Sequence, residues 1–256
     1  MVSLHIDQIS FRYQSHEVFS GISLDAQGGQ IVSLVGPNGA GKTTLLKCIN
    51  RLLPLKEGTV QLDGQDLSEL SRAELAKRTA YVPQATVSNF PITVFDTVLL
   101  GRRPYLNWKP QQYDLDLVMD IIERMDLRGL AMRDLGELSG GERQKVLVAK
   151  AMVQEPRLLL FDEPTSYLDL KYQLKIMQFI RDLIDEKQIC ALITTHDLNL
   201  ALQFSDRLVA LKDGKIVAEG STAILSEALI LQVYGVEASL QHYQEQPFMI
   251  PLRAMP

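Results

Sequence analysis

Apolar and polar positions along the chain switch repeatedly between a strand period and a helix period. Over residues 2 to 12 they roughly alternate, the pattern of a half-buried strand, ending in Phe11-Arg12-Tyr13. Gln30 to Val35 is instead a nearly unbroken apolar run, which predicts a buried strand. Leu45, Leu46, Ile49, Leu52 and Leu53 then recur at helical spacing until Pro54 ends the helix. Gly58 to Leu62, closed by the turn Asp63-Gly64, reads as a further strand pair. Ser71 to Lys77 reads as a helix, and Thr79 to Val82 as a strand that runs into Pro83-Gln84.

From about residue 89 to 155 the pattern is mostly helical. Tyr113, Leu117, Ile121 and Met125 share one face, and a second helix follows Ser139. Within this block, Gly101 to Trp108 is an aromatic and basic stretch that no core pattern explains. Strand character returns with Leu158 to Phe161, an uninterrupted run of the parallel-sheet type. A helix then places Tyr172, Ile176, Phe179 and Leu183 on one face. A buried strand from Ile189 to Ile193, a short helix capped by Asp197 and a hairpin around Asp213-Gly214 follow. Residues 237–256 are poorly patterned and read as a tail. Strands alternating with helices predict an α/β fold with a mainly parallel sheet, with an α-helical subdomain inserted at about 89–155 of a domain spanning 2–236.

Composition narrows the function more than the fold. With 256 residues, 46% of them hydrophobic, the chain can bury a large core in one compact unit. A net charge of -5 gives no general basic footprint, so no nucleic-acid partner is expected. Cys48 and Cys190 sit in apolar settings and read as core residues of a reducing compartment, and the four histidines lack metal-ligand spacing. Met1 to Asp7 lacks a cationic signal segment, and no run approaches the ~20 apolar residues that span a bilayer. A cytosolic protein is expected, one that meets a membrane only through a partner.

Chemistry concentrates in three places. Gly36-Pro37-Asn38-Gly39-Ala40-Gly41-Lys42-Thr43-Thr44 fits the phosphate-binding loop pattern, and its strand-loop-helix setting is the required one. Glycines let the backbone curl so that N–H groups point at a phosphate, and the helix N-terminus adds partial positive charge. Lys42 would neutralise the β- and γ-phosphates, and the Thr43 hydroxyl would ligate Mg²⁺. Asp162 and Glu163 end the Leu158 strand, where ligand groups of open parallel sheets gather. Asp162 would hold Mg²⁺ opposite Thr43, and Glu163 would orient or deprotonate the attacking water. Third, Leu138-Ser139-Gly140-Gly141-Glu142-Arg143-Gln144 contains a capping box, Ser139 with Glu142. That box leaves Gly140 and Gly141 unexplained, since glycine costs up to ~1 kcal/mol in a helical turn. Bare backbone at a helix N-terminus suits a second phosphate contact.

Together these motifs resemble the ATPase subunit of an ATP-binding cassette (ABC) transporter, in the family's order and over nearly the whole chain up to about residue 235. The resemblance includes Gln84 after Tyr81-Val82-Pro83, Ser166-Tyr167-Leu168-Asp169, and His196 in Thr194-Thr195-His196-Asp197. It implies a P-loop NTPase core with an antiparallel β subdomain and the inserted helical one. It implies that Tyr13 stacks on adenine, that Gln84 senses Mg²⁺ and the attacking water, and that His196 contacts the γ-phosphate. It also implies that Asp169 links two nucleotide sites, and that Ser139, Gly140 and Gly141 bind the γ-phosphate held by a second copy of the chain. Glu142 stands where the family often has glutamine; both satisfy the capping box.

Pro91-Ile92-Thr93-Val94, Gly101 to Leu106, Ser166-Tyr167-Leu168-Asp169 and His196-Asp197-Leu198-Asn199 resemble one bacterial importer branch, serving iron-siderophores, haem, cobalamin and sometimes oxyanions such as molybdate. The expected protein is thus an ATP-driven motor at the cytoplasmic face of a membrane. Its expected partners are polytopic permease subunits and a periplasmic or lipoprotein substrate-binding protein. The Phe90 to Trp108 stretch, beside Gln84, is the expected permease-facing surface. A soluble ATP clamp acting on nucleic acid or ribosomes is the alternative. Such relatives usually carry a long coiled coil or a second cassette between or beside the motifs, whereas Lys42 and Asp162 are only about 120 residues apart here, with no heptads between.

Overall fold

The computed structural model describes residues 2–84, 91–106, 108–166 and 168–255. Phe90 and Asn107 of the expected permease-facing stretch, and Tyr167 of the Ser166-to-Asp169 motif, lie outside them. The order of elements is β1 (Ser3–Tyr13), β2 (His16–Gln27), β3 (Ile31–Val35), α1 (Lys42–Ile49), β4 (Glu57–Leu62), β5 (Gln65–Asp66), α2 (Arg72–Arg78) and β6 (Thr79–Val82). Then come α3 (Val94–Leu99), α4 (Gln112–Arg124), α5 (Gly140–Met152), β7 (Leu158–Asp162), α6 (Leu170–Lys187) and β8 (Cys190–Thr194). The chain closes with α7 (Leu198–Phe204), β9 (Arg207–Lys212), β10 (Lys215–Ser221), α8 (Glu227–Tyr234), β11 (Val236–Tyr243) and β12 (Gln246–Ala254). No helix among the described residues is long and apolar enough to cross a membrane.

Two sheets carry the α/β architecture. The central one has the order β10-β9-β3-β8-β7-β6 and is parallel except for the edge strand β10. The other, β2-β1-β4-β5, is antiparallel. The unbroken apolar runs of β3, β7 and β8 follow from burial on both faces. In β7, Leu158 and Leu160 enter the cluster shared with β1, β2 and α1, while Leu159 and Phe161 enter the one shared with α3 to α6. Because β3, β8, β7 and β6 run parallel as neighbours, the segments leaving their C-terminal ends open along one edge.

The structure departs from the hydrophobic pattern in four places. First, α1 stops at Ile49, short of Pro54, and Leu52 is exposed. Arg51 turns left-handed at φ 52°, and its guanidinium donates to the Leu67 and Leu70 carbonyls at 2.7 and 2.5 Å. Second, the buried face of α4 is Asp114, Val118, Ile121 and Ile122, continued by Met125, and Tyr113 is exposed. At 3.6 residues per turn each four-residue step overshoots by about 40°, so the series from Tyr113 to Met125 drifts across the helix. Third, His16–Gln27 forms β2, which the pattern did not reveal.

The fourth concerns the ends of the chain and of the insertion. The tail is an ordered hairpin, β11 with β12, turned at Gln244 and Glu245 (φ 47° and 67°). Its Ala238, Leu240 and Met249 pack against α7 and α8, and the Asn199 side chain pairs with both backbone groups of Met249. Arg102, expected on a partner-facing surface, is 3% exposed. Its guanidinium donates to Asp114, Glu155 and the Val153 carbonyl at 2.7–2.8 Å and stacks over Tyr105. The basic stretch is therefore partly core; Arg103, Leu100 and Trp108 remain exposed.

Candidate functional site

The site begins where β3 turns into α1. Gly36 has φ 147°, and a Cβ there would lie 2.1 Å from the Leu211 carbonyl oxygen, so only glycine fits. On the other side of the loop, Val18 and Phe19 of β2 stand 3.3–3.5 Å from where a Cβ on Gly41 would be. Lys42 opens α1 and folds back over the loop, its Nζ donating to the Gly36 and Pro37 carbonyls at 2.6 and 2.9 Å. Burial lowers the pKa of this ammonium, and the nearby Glu163 and Asp162 carboxylates oppose that shift.

Asp162, the last residue of β7, is 3% exposed and accepts from three hydroxyls. Thr43 donates to Oδ1 at 2.8 Å, Thr194 to the same oxygen at 2.9 Å, and Tyr81 to Oδ2 at 3.1 Å. Burial first, and the Asp162 charge second, raise the Tyr81 phenol pKa and keep it a donor. Glu163 follows in a left-handed conformation, φ 51°, unusual for a non-glycine residue and common where function holds strain. Its Oε2 accepts from Gln84 Nε2 at 2.6 Å and from the Ser166 hydroxyl at 2.7 Å, while His196 Nε2 meets Oε1. The ends of β3, β6, β7 and β8 thus deliver Lys42 and Thr43, Gln84, Asp162 with Glu163, and His196 to one place. Such a cluster offers a cation, an oxygen pair suited to a hard metal ion, and a carboxylate able to accept a proton.

Other expected site residues stand apart. Tyr13, at the end of β1, is 48% exposed and meets Phe11 edge-on at 4.8 Å, so its ring is not core. Ser139 caps α5: its hydroxyl and N–H both donate to Glu142, which keeps the Glu142 carboxyl below its ordinary pKa. Glutamic acid therefore serves the capping box as expected. A Cβ on Gly140 would meet nothing within 4 Å, so no contact within this chain requires a glycine there. Asp169 caps α6, accepting from the Tyr172 N–H at 2.9 Å. Among the described residues, no hydrogen bond or ion pair joins Ser139, Gly140, Gly141 or Asp169 to Lys42, Asp162 or Glu163. Sequence reasoning missed Tyr81, Thr194 and Ser166 as site residues. Tyr81 and Thr194 lie at or next to the ends of β6 and β8, and Ser166 four residues beyond β7; only the pairing of these strands brings them to Asp162 and Glu163.

Comparison with known proteins identifies the family. The ABC transporter family model matches residues 19–166. An uncharacterised ABC transporter ATP-binding protein of Methanocaldococcus jannaschii is 43% identical over 252 residues, 98% of this chain and 99% of the relative. The petrobactin import ATP-binding protein FpuC of Bacillus anthracis is 33% identical, covering 98% and 93% of the two chains. A phosphonates import ATP-binding protein of a Synechococcus is 36% identical over 91% of each. Among solved structures, an inward-facing ABC transporter assigned to the metal-chelate type superposes with a TM-score of 0.86 at 28% identity, covering 98% of each chain. The chain belongs to the ATP-binding proteins of ABC transporters.

Proposed function

We propose that the chain is the Mg²⁺-dependent ATPase of an importer, bound peripherally at the cytoplasmic face of the membrane and working as a pair. The observation that carries the reading is the meeting of Lys42, Thr43, Gln84, Asp162, Glu163 and His196 at one sheet edge. The Gly36 to Thr44 backbone would cradle the phosphates of ATP, with Lys42 exchanging its loop carbonyls for phosphate oxygens. Thr43, Asp162 and Gln84 offer oxygen donors only, with a single carboxylate, which fits Mg²⁺ sharing its shell with phosphates and water. Such an ion, when bound, offsets the charge that develops between the β- and γ-phosphates. Glu163 would take the proton of the attacking water, with His196 and Gln84 orienting the carboxylate. Tyr13 would stack on the adenine.

A second copy of the chain supplies the other half of the site in this reading. Ser139, Gly140 and Gly141 lie apart from Lys42, and the open space at Gly140 leaves the α5 N-terminus bare for a γ-phosphate held across the interface. Asp169 would sit between the two sites. Gly140→Ala tests this directly. It should leave the isolated chain folded, more stable by up to about 1 kcal/mol because alanine favours the helix. ATP turnover should nevertheless fall at least about tenfold, since a methyl would meet the partner's phosphate. Full turnover in that variant would speak against the paired site.

Permease subunits would dock near Arg103, Leu100 and Trp108, together with a substrate-binding protein outside the membrane. Similarity to the petrobactin importer and to the metal-chelate type transporter supports a metal chelate as cargo. The phosphonates relative supports an oxyanion as the second reading. Uptake of a labelled ferric chelate and of a labelled phosphonate, in cells with and without this chain, separates the two. Loss of neither uptake would contradict both readings.

A further inference from the structure

The C-terminal part of the chain reaches the phosphate loop from behind. Helix α8 ends at Tyr234, and Gly235 (φ 66°) closes it in a left-handed cap. Two contacts hold this last turn to the central sheet. Lys212 Nζ donates to the Gln232 carbonyl at 2.6 Å, and Val233 is buried in a cluster with Val35, Leu208 and Ala210. Val35 is the residue before Gly36. Leu211, next to Lys212, presents the carbonyl that excludes any side chain at Gly36.

The Tyr234 ring packs on the same cluster, and its hydroxyl faces the backbone N–H of Gly36. That hydroxyl is enclosed and makes no well-formed hydrogen bond with any described residue. Enclosure raises the phenol pKa to about 12, so the group stays neutral at physiological pH. A buried, poorly paired hydroxyl weakens a fold, and phenylalanine would fill the space without that cost. Its presence against the first glycine of the loop needs a reason other than packing. The hairpin that follows α8 also grips Asn199, three residues beyond His196, so the C-terminal unit touches both flanks of the site.

We infer that Tyr234 is a positioning residue for nucleotide binding, its hydroxyl bracing the Gly36 backbone so that the loop's N–H groups meet the phosphates. The inference rests on Gly36 to Thr44 being the ATP cradle. The phenol oxygen accepts from the Gly36 N–H when the loop closes on the phosphates.

Tyr234→Phe in the full chain, titrated with ADP and Mg²⁺ by calorimetry alongside a thermal melt, tests the inference. The expected result is a nucleotide Kd raised about fivefold, the equivalent of one hydrogen bond, with Tm equal to or above that of the parent chain. Opposite signs in affinity and stability distinguish positioning from simple structural support. An unchanged Kd would overturn the inference, as would a Kd rise accompanied by a lower Tm. Lys42→Ala tests the cradle separately and should weaken the same titration at least tenfold. A parent chain whose ADP affinity is indifferent to Lys42→Ala would remove the cradle and this inference together. A Lys42 effect without a Tyr234 effect would overturn the inference alone.

Discussion

Replacing Glu163 with glutamine will lower ATP turnover by about 10²- to 10⁴-fold while leaving ATP binding intact. The carboxylate is held by Gln84, Ser166 and His196, which fix it in the place the proposed reaction gives to the base. An amide of the same shape keeps one acceptor oxygen and the position of the side chain but cannot take a proton. None of the phosphate-loop bonds depends on it: Lys42 and Thr43 find their partners in Gly36, Pro37 and Asp162. Binding without hydrolysis should trap the ATP-bridged pair. Phosphate release and gel filtration in ATP and Mg²⁺ together read the outcome, a slow enzyme that elutes as a dimer. Parental turnover in this variant would take Glu163 out of the reaction.

Arg102→Ala should destabilise the fold by about 3–5 kcal/mol, as expected when one partner leaves a buried ion pair. Asp114, whose side chain is only 8% exposed, would keep its charge without a guanidinium, and the Val153 carbonyl would lose its donor. Urea unfolding of the two chains gives the comparison. Removing the pair as a unit, with Arg102→Met and Asp114→Leu together, should recover much of the loss. A change below about 1 kcal/mol in the single variant would mean that water reaches the pair. For the same reason charge reversal at Arg102 cannot report on a membrane partner. Arg103 is the residue to reverse.

The geometry of the site was legible where it depends on local order along the chain. The glycine loop, the Asp162-Glu163 strand end and the Ser139 capping box each require residues within a few positions of one another, and those positions are where the structure has them. Long-range consequences of topology were harder to read. Nothing near Tyr81 or Thr194 announces a bond to Asp162; that bond exists because β6, β7 and β8 are neighbours. Arg102 looked like a surface cation because its partners, Asp114 and Glu155, are 12 and 53 residues away. The closing hairpin escaped notice because its turn uses Gln244-Glu245, both left-handed, where asparagine and glycine give the usual signal. Strand β2 was obscured by its register shifts against β1, which break the two-residue period.

Among the described residues, the helices between β6 and β7 have no apolar core of their own. Val98, Val118, Ile122 and Val146 belong to the same cluster as Phe161, Ile180 and Ile193, which come from the central sheet and α6. A boundary that is clean in the order of elements is therefore absent in the thermodynamics. Excised, the insertion would expose one wall of its interior to water and lose the burial that makes short helices hold. Within the intact chain, unfolding should be a single cooperative event. Any working motion of those helices must slide over shared side chains, keeping apolar area covered throughout, because separation at a linker would wet the core.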